Sequence, residues 1–329
     1  MRARHGFASF LGPDIEHFIA HKRAAGRRFE VEEKTLRLLD DFLLERQVGT
    51  LDAVTSALID EFLASRPRSK PRSYNHLRCT IGRLFAYLVG HGKVPRNPLQ
   101  SPPRRARYQR APFIFDQAAA RRLLATARAL TDGGSAIDRG RTYYLIFAIL
   151  YGLGLRVGEA CRLCVKDVDL DRRVLVIRQT KFYKSRLVPF GPKLEALLRQ
   201  QIARCKTGLY GSADPETALF RLKGGRAVNP GTISITFQQL VRRLHLTIPP
   251  GVSPPRLHDL RHSCAVGTLA RWYRDGGDPQ ARLHILSTFL GHVDINSTAI
   301  YLTTTPELLD LANRRFEIFA ATTLREGLA

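Results

Sequence analysis

The chain has 329 residues, of which 44% are hydrophobic, so it is long enough to bury two cores. Its 52 Lys and Arg against 29 Asp and Glu give a formal net charge of +23, which favours nucleic acid or an anionic membrane as partner. A membrane is the weaker alternative, because the longest nearly apolar run, residues 143–155, is well short of the ~20 residues that span a bilayer. The N-terminus shows no charged head followed by an apolar core, so we expect the protein to stay in the cytoplasm.

The first hundred residues carry helical periodicity with short polar breaks, which predicts a helical unit over residues 1–100. The last predicted helix has one apolar stripe and leaves Arg72, Arg78 and Arg83 nearer the other face, where we assign them to DNA binding. We therefore expect a compact helical bundle with a basic exterior. The predicted helices cover residues 14–25, 31–46, 52–64 and 71–90, and the stripe consists of Tyr74, Leu77, Ile81, Leu84, Phe85 and Leu88.

Residues 101–112 read SPPRRARYQRAP, which predicts a basic linker. Its prolines oppose helix formation, and no acidic residue within it balances the arginines. Such a segment is suited to lie across a phosphate backbone, although a charge run that is only solvated is the more common case. The linker arginines that we assign to DNA binding are Arg104, Arg105, Arg107 and Arg110.

From residue 113 to 329 the pattern predicts a second, α+β unit, so that the whole chain is mainly α with a small antiparallel β-sheet. Residues 174–177 and 186–190 have strand composition, and the polar TKFYKS between them predicts a hairpin tip. Pro306 opens a last helix to about residue 320, with Leu308, Leu309, Ala312, Phe316 and Phe319 roughly on one stripe. The other helices are predicted at 116–130, 139–153, 156–165, 193–204, 230–245, 259–273, 279–290 and 297–302.

Five cysteines are scattered along the chain, and we expect them to be reduced and mostly packed. Cys161 and Cys164 form a C-x-x-C, which zinc or redox proteins also contain. Zinc would need a second ligand pair, and Cys79, Cys205 and Cys264 supply none.

Six side chains in chain order have the chemistry that metal-free phosphodiester exchange requires. Breaking and rejoining that bond takes donors for the non-bridging oxygens, an acid for the leaving oxygen and a nucleophile. The six residues are Arg156, Lys181, His258, Arg261, His292 and Tyr301.

The residue types suit these tasks. Arg156 and Arg261 each present a rigid fork of donors, and Arg261 shares a helical face with His258 three residues before it. Lys181, at the hairpin tip, is suited to protonating the leaving oxygen. Tyr301 can attack phosphorus reversibly, because a phenolate is a better leaving group than an alkoxide.

Each of these residues alone has a simpler explanation. A tyrosine such as Tyr301 on an apolar helix is usually part of a core, and Lys184 competes for the role of Lys181. His258 and His262 could bind zinc, yet no H-E-x-x-H glutamate lies between them.

The glycine-rich segment before Arg156 also imitates a nucleotide-binding turn of a dehydrogenase. Its spacing is G-x-G-x-x-x-G rather than G-x-G-x-x-G, and an arginine stands where a pyrophosphate-binding helix would begin. Glu159, three residues after Arg156, is instead expected to hold that arginine by an ion pair.

Four segments together resemble the tyrosine recombinase (phage integrase) family. GLRVGEA (154–160) resembles the family's first arginine box, and TKFYKSRLVPFG (180–191) its β-hairpin lysine followed by R-L-V-P. HDLRHS (258–263) resembles the H-x-x-R box, and LGHVDINSTAIY (290–301) the final box with its tyrosine. Residues 14–98 look like the family's helical core-binding domain, so the resemblance covers essentially the whole chain.

The resemblance implies a site-specific recombinase that cuts and rejoins double-stranded DNA through a 3′-phosphotyrosine, without metal, ATP or another cofactor. It also implies four protomers on two DNA segments, with a second recombinase as a further possible partner. The C-terminal helix would then dock on a neighbour, and packing within its own domain is an equal alternative. The implied roles are phosphate binding for Arg156, Arg261 and His292, acid catalysis for Lys181, proton movement for His258 and nucleophilic attack for Tyr301.

The chain departs from the family pattern at two places. Arg261 and His292 are 31 residues apart, and RWYRDGGDPQARLH (271–284) enlarges the turn between their helices. Phe182 and Tyr183 occupy a hairpin tip where the family often has glycine. We expect no arm-binding domain before the helical unit, and hence recognition of simple core sites.

Two other functions are compatible with parts of this pattern. A type IB topoisomerase shares the chemistry but relaxes supercoils as a monomer. A non-catalytic DNA-binding protein would have the charge, but it would not need all six groups in this order. Integration, excision, dimer resolution and transposition share the same motifs.

Overall fold

The computed structural model describes residues 6–105, 110–133, 138–178, 185–206, 214–222, 225–303 and 305–326. The chain divides into two compact units, Met1–Gln109 and Arg110–Ala329. Both are mainly helical, and the small antiparallel sheet lies in the second unit, which confirms the predicted fold class.

The first unit is a helical bundle around one apolar core. All six residues of the apolar stripe predicted on its last helix are buried. The third helix begins at Ser56 rather than at 52, because the Thr55 side chain accepts a hydrogen bond from the Leu58 amide and caps the helix there. The helices are α1 (Gly12–Ala24), α2 (Glu30–Glu45), α3 (Ser56–Ser65) and α4 (Pro71–Gly90).

The beginning of the predicted linker is anchored to α4. The Asn75 side chain donates to the Arg104 carbonyl and accepts from the Arg104 amide, both at 2.8 Å. The Arg104 guanidinium lies 3.9 Å from the centroid of the Tyr74 ring, a cation–π contact. Arg78 donates to the Ser101 carbonyl at 2.5 Å. This end of the linker is therefore a fixed part of the helical unit, not a loose strap.

The arginines assigned to DNA binding fall into two groups. Arg78 and Arg104 make the contacts just described, and Arg78 is half-buried rather than on the open face of α4. Four others have exposed side chains, and Arg107 lies outside the described residues. The four are Arg72, Arg83, Arg105 and Arg110.

The second unit packs its helices around two apolar clusters, with the sheet at one side of the larger cluster. Helix α6 is buried along most of its length and contacts α5, α7, α8 and α10. The helices are α5 (Gln117–Arg128), α6 (Arg139–Gly152), α7 (Val157–Arg162), α8 (Pro192–Lys206), α9 (Pro230–Leu244), α10 (Asp259–Arg274), α11 (Leu283–Leu290), α12 (Asn296–Ala299) and α13 (Pro306–Glu326).

The sheet has three antiparallel strands in the order β1 (Val168–Asp169), β2 (Val174–Ile177) and β3 (Arg186–Pro189). Strands β2 and β3 are the predicted hairpin, paired with Val174 opposite Pro189 and Ile177 opposite Arg186. Strand β1 was not predicted, because two residues carry too little alternation to indicate a strand.

One predicted helix, 156–165, ends early in the structure. Helix α7 stops at Arg162 because Leu163 and Val165 exchange backbone hydrogen bonds with the segment 217–219. A separate 3₁₀ turn, Val165–Asp167, follows. Cys164 therefore lies outside the helix that contains Cys161.

All five cysteines are free thiols, and Cys161, Cys205 and Cys264 are buried. No helix in the described part of the chain has the length and apolar character needed to cross a membrane.

The C-terminal segment divides into shorter elements than predicted. The helix predicted at 297–302 is α12 followed by a 3₁₀ turn, Ile300–Thr303. Helix α13 packs on α10 through the buried Leu308, whereas Leu309 and Phe316 are 50% and 67% exposed. Its first turns thus pack within their own unit.

We expect Asn75→Ala to release the linker from α4 without unfolding the helical unit. Two hydrogen bonds of about 1 kcal/mol each are lost, so trypsin cleavage after Arg104 is expected to rise roughly tenfold or more. Cleavage is measured by mass spectrometry of the fragments. His76→Ala, an exposed neighbour on α4, serves as control and should leave the rate unchanged. Equal cleavage of both variants would contradict the anchoring role.

Candidate active site

Two arginines donate to the turn that precedes His292. Arg261 donates through Nη2 to the Leu290 carbonyl at 2.7 Å, and Arg156 donates through Nη2 to the next carbonyl, Gly291, at 2.9 Å. Arg261 also donates through Nη1 to the Gly154 carbonyl at 2.5 Å. Three of the four predicted motifs are thereby joined in one place.

Two glycines allow this close approach. Gly154 has φ +60°, and a Cβ there would lie 2.7 Å from Leu290 Cδ2. Gly291 ends α11 with φ +71°, and its Cβ would lie 2.6 Å from Arg186 Nη1. A larger residue at either position would have a strained backbone and would displace the neighbouring side chain, Leu290 or Arg186.

Glu159 is the buried anion of the site, and it binds two arginines. It accepts from Arg156 Nη1 at 2.8 Å, which confirms the predicted ion pair, and from the Arg156 amide at 2.9 Å. Arg186 of β3 donates to both of its oxygens, at 3.1 and 2.8 Å, and to the Phe289 carbonyl at 3.0 Å. Burial alone would raise the pKa of Glu159, but the hydrogen bonds and charges of Arg186 and Arg156 outweigh it and lower the pKa to about 2.

The histidines of the site are neutral at pH 7. Burial is the main cause, and it lowers the pKa values of His258, His262 and His292 to about 4, aided by the positive charge of Arg261. His292 Nδ1 lies 2.7 Å from the hydroxyl of the buried Thr298, which leaves Nε2 as its remaining ring nitrogen. His258 directly precedes α10, and its ring centroid is 4.8 Å from that of His262.

Tyr301 lies on the 3₁₀ turn after α12 and is only 2% exposed. Its hydroxyl is 2.8 Å from His262 Nδ1, and its ring stacks near His292 with centroids 6.4 Å apart. Burial raises the pKa of the Tyr301 hydroxyl, while the charge of Arg261 opposes the rise. The tyrosine therefore carries its proton in the DNA-free protein.

The structure brings together five of the six predicted residues, and Lys181 lies outside the described residues. Sequence reasoning missed Arg186, His262 and Thr298. His262 stands beside Arg261 in HDLRH and Arg186 opens R-L-V-P, so both were within recognised motifs. Thr298 also lies within a recognised motif, LGHVDINSTAIY, but a threonine has no chemistry of its own that indicates a histidine partner.

We expect Glu159→Gln to destabilise the second unit by on the order of 3 kcal/mol at pH 7, because it leaves two arginines without their shared anion. A carboxylate with a lowered pKa stabilises the fold above its unfolded pKa, 4.5, and loses that effect as the pH falls towards about 2. The difference between variant and wild type should therefore shrink below pH 4.5. It is measured by urea unfolding across pH.

Glu195→Gln is the matched control for this prediction. Glu195 on α8 also binds two arginines, Arg173 and Arg199, but their side chains are 53% and 61% exposed. An exposed pair contributes little, so this variant should change the unfolding midpoint only slightly. A loss as large as that of Glu159→Gln would show that burial of the anion is not what matters.

The chain is similar to known proteins over most of its length. The phage integrase family model matches residues 115–307. An integrase/recombinase of Sinorhizobium fredii, y4rB, is 36% identical over 309 residues, covering 92% of this chain and 96% of the relative. The tyrosine recombinase XerC of Mycobacterium sp. (strain JLS) is 30% identical over 275 residues, 81% of this chain and 84% of the relative.

Solved structures show the same fold at lower identity. The Tn1549 transposon integrase in complex with a circular intermediate DNA matches with TM-score 0.64 and 18% identity, covering 93% of this chain and 99% of that one. The XerH site-specific recombinase bound to a palindromic difH substrate matches with TM-score 0.63 and 18% identity, over 87% and 78% of the two chains. The matches confirm the resemblance seen in the four motifs: the chain belongs to the phage integrase family and is a tyrosine recombinase, an enzyme of site-specific DNA recombination.

Proposed function

We propose that this recombinase cuts a DNA strand by attack of Tyr301 on a phosphate held by Arg156, Arg261 and His292. The observation that carries the proposal is the shared turn at Leu290 and Gly291. Both guanidiniums bind it, and the chain continues from it through His292 to Tyr301. The phosphate-binding groups and the nucleophile are therefore held in one framework.

The step exchanges one phosphodiester for another. A bond forms between Tyr301 Oη and phosphorus, and the bond from phosphorus to the 5′ oxygen breaks, leaving a 3′-phosphotyrosine and a 5′ hydroxyl. Lys181 supplies the proton for the 5′ oxygen, and the neutral imidazole of His258 assists proton movement. Attack by the 5′ hydroxyl of a partner duplex reverses the step, so the exchange needs no ATP and no metal.

DNA must uncover part of this site before the reaction. The Arg156 side chain is 35% exposed, whereas Tyr301 and Arg261 are 2% and 1% exposed. A phosphate can reach Arg156 directly, but Tyr301 becomes available only after the 3₁₀ turn 300–303 shifts. The nucleophile is thus shielded until a duplex binds.

The helical unit serves as the core-binding domain for double-stranded DNA. The exposed Arg72, Arg83, Arg105 and Arg110 supply phosphate contacts from α4 and the linker, together with Arg107. Arg78 and Arg104 fix the linker on α4 and so hold the neighbouring arginines in place. The working assembly is a homotetramer on two DNA segments in the cytoplasm, and the structures of similar integrases and recombinases were solved with DNA.

Trapping on DNA tests the nucleophile. In a nicked suicide duplex that carries a binding site, cleavage releases the short fragment that bears the new 5′ hydroxyl, so rejoining is prevented. Wild type is therefore expected to accumulate a covalent complex with the modification on Tyr301, identified by mass spectrometry. Tyr301→Phe should form none, because it lacks the attacking oxygen. Tyr273→Phe, on α10 of the same unit, is the control and should react normally. A complex formed by Tyr301→Phe would contradict the proposal.

Strand exchange separates this enzyme from a topoisomerase. A recombinase joins ends of two labelled duplexes, whereas relaxation of a supercoiled plasmid without exchange would favour a type IB topoisomerase. A Tyr301→Phe protein that behaves as wild type in every DNA assay would favour a non-catalytic DNA-binding protein.

Cleavage is expected to persist in EDTA. The proposed chemistry uses guanidiniums and imidazoles where other nucleases and phosphotransferases use a divalent ion. The measurement is the rate of covalent complex formation with and without chelator. Loss of cleavage in EDTA that Mg²⁺ restores would show that the metal-free mechanism is wrong.

A further inference from the structure

We infer that His262 is a further catalytic residue, which holds the Tyr301 hydroxyl and accepts its proton as the oxygen attacks phosphorus. The inference rests on the proposed role of Tyr301. None of the roles assigned from the four motifs uses His262, although it lies next to Arg261.

The contact between the two side chains is direct. His262 Nδ1 and Tyr301 Oη are 2.8 Å apart, and the ring centroids are 5.5 Å apart. The bond joins α10 to the 3₁₀ turn, 39 residues later in the chain. The His262 side chain is 15% exposed and Tyr301 is buried, so bulk water does not replace this partner readily. A general base must stand within hydrogen-bond reach of the proton it takes, and His262 does.

The surroundings of His262 favour the tautomer that this role needs. For Nδ1 to accept, the proton of the neutral ring must be on Nε2. The fully buried carboxylate of Asp259 has Oδ1 3.9 Å from that nitrogen, and its negative charge favours a proton there. Arg256 fixes this carboxylate by donating its amide at 2.8 Å and Nη2 at 3.0 Å. The Tyr301 hydroxyl, the His262 ring and the Asp259 carboxylate thus lie next to one another in space as nucleophile, base and orienting group. The same arrangement activates hydroxyl nucleophiles in other enzymes.

Charge explains why transfer waits for DNA. Burial, with the charges of Arg256 and Arg261, lowers the pKa of His262 to about 4, while burial raises the pKa of Tyr301. In the free protein the proton therefore stays on the tyrosine. A phosphate bound at Arg261 offsets that positive charge and makes His262 a stronger base at the moment when the nucleophile is needed.

The proton balance of the reaction is then complete. As the bond from Tyr301 Oη to phosphorus forms, the phenol proton moves to His262 Nδ1. The electron pair of the breaking bond goes to the 5′ oxygen, which takes a proton from the acid assigned to Lys181. Rejoining reverses both transfers, and His262 returns its proton to the departing phenolate.

Two suicide duplexes distinguish this role from protonation of the leaving group. One has the ordinary 5′ oxygen at the cleaved bond, and the other has sulfur there, which leaves as a thiolate without an acid. His262→Ala is expected to slow covalent complex formation by about 10²-fold to 10⁴-fold on both duplexes, since sulfur does nothing for the attacking oxygen. Lys181→Ala should recover on the sulfur duplex.

Two further measurements separate proton transfer from packing. His262→Asn keeps a polar group near the Nδ1 position but is not a base, so it should stay slow even where thermal unfolding shows a native fold. Added imidazole should partly restore His262→Ala, because the small base can occupy the vacated space. His284→Ala, an exposed histidine of α11, is the control and should cleave as wild type does.

The outcomes are separable from those of the proposed function. A wild type that forms no Tyr301 complex would end the proposed function itself. If wild type forms the complex and His262→Asn forms it at the same rate or faster, only the role of His262 is overturned. A faster variant would show that the hydrogen bond to His262 restrains the tyrosine. Normal cleavage of the sulfur duplex by the His262 variants would also overturn the role of His262 as base. It would show that His262 donates a proton to the leaving oxygen instead.

Discussion

The site depends on two guanidiniums that bind consecutive backbone carbonyls. Arg261 and Arg156 donate to Leu290 and Gly291, and these bonds join segments that are far apart in the sequence. Side-chain hydrogen bonds from a charged donor are among the stronger ones in proteins, and Arg261 makes its pair where water is excluded. These hydrogen bonds fix the position of His292 and of Tyr301 after it. The same groups that are proposed to bind phosphate therefore also build the site.

Placing several arginines together in a buried site costs electrostatic free energy, and the fold offsets this cost only in part. Burial, with the charge of Arg156 nearby, lowers the pKa of Arg261 to about 10, so the guanidinium still carries its charge at pH 7. Around the site, the described bonds join Arg156 and Arg186 to the single carboxylate of Glu159. Arg261 instead donates to the carbonyls of Gly154 and Leu290, whose dipoles stabilise its charge. In the proposed mechanism, the bound phosphate adds negative charge beside these guanidiniums.

Much of this could be predicted from residue patterns, and the failures have a common cause. The apolar stripe of α4 and the β2–β3 hairpin follow from periodicity, which depends on nearby residues alone. The end of α7 could not be predicted, because it is fixed by backbone bonds to residues 217–219. The role of Arg186 was missed for the same reason, because it binds Glu159, which is 27 residues away in the chain. Thr298 is only six residues from His292, but which side chain meets the imidazole depends on how the turn between them folds. Local sequence shows which groups are present, whereas their partners depend on the tertiary fold.

The neutrality of the three histidines is the property that makes the arrangement chemically useful. A charged imidazole beside Arg261 would repel it and could not accept a proton, whereas a neutral one can hold the tyrosine and later take its proton. Burial keeps the rings neutral until an anion enters, and the anion then raises their basicity. Because the same burial keeps the Tyr301 hydroxyl protonated and covered, the proposed attack on phosphorus becomes favourable only when DNA occupies the site. The desolvation of the site thus also keeps the proposed nucleophile protonated and covered in the free protein.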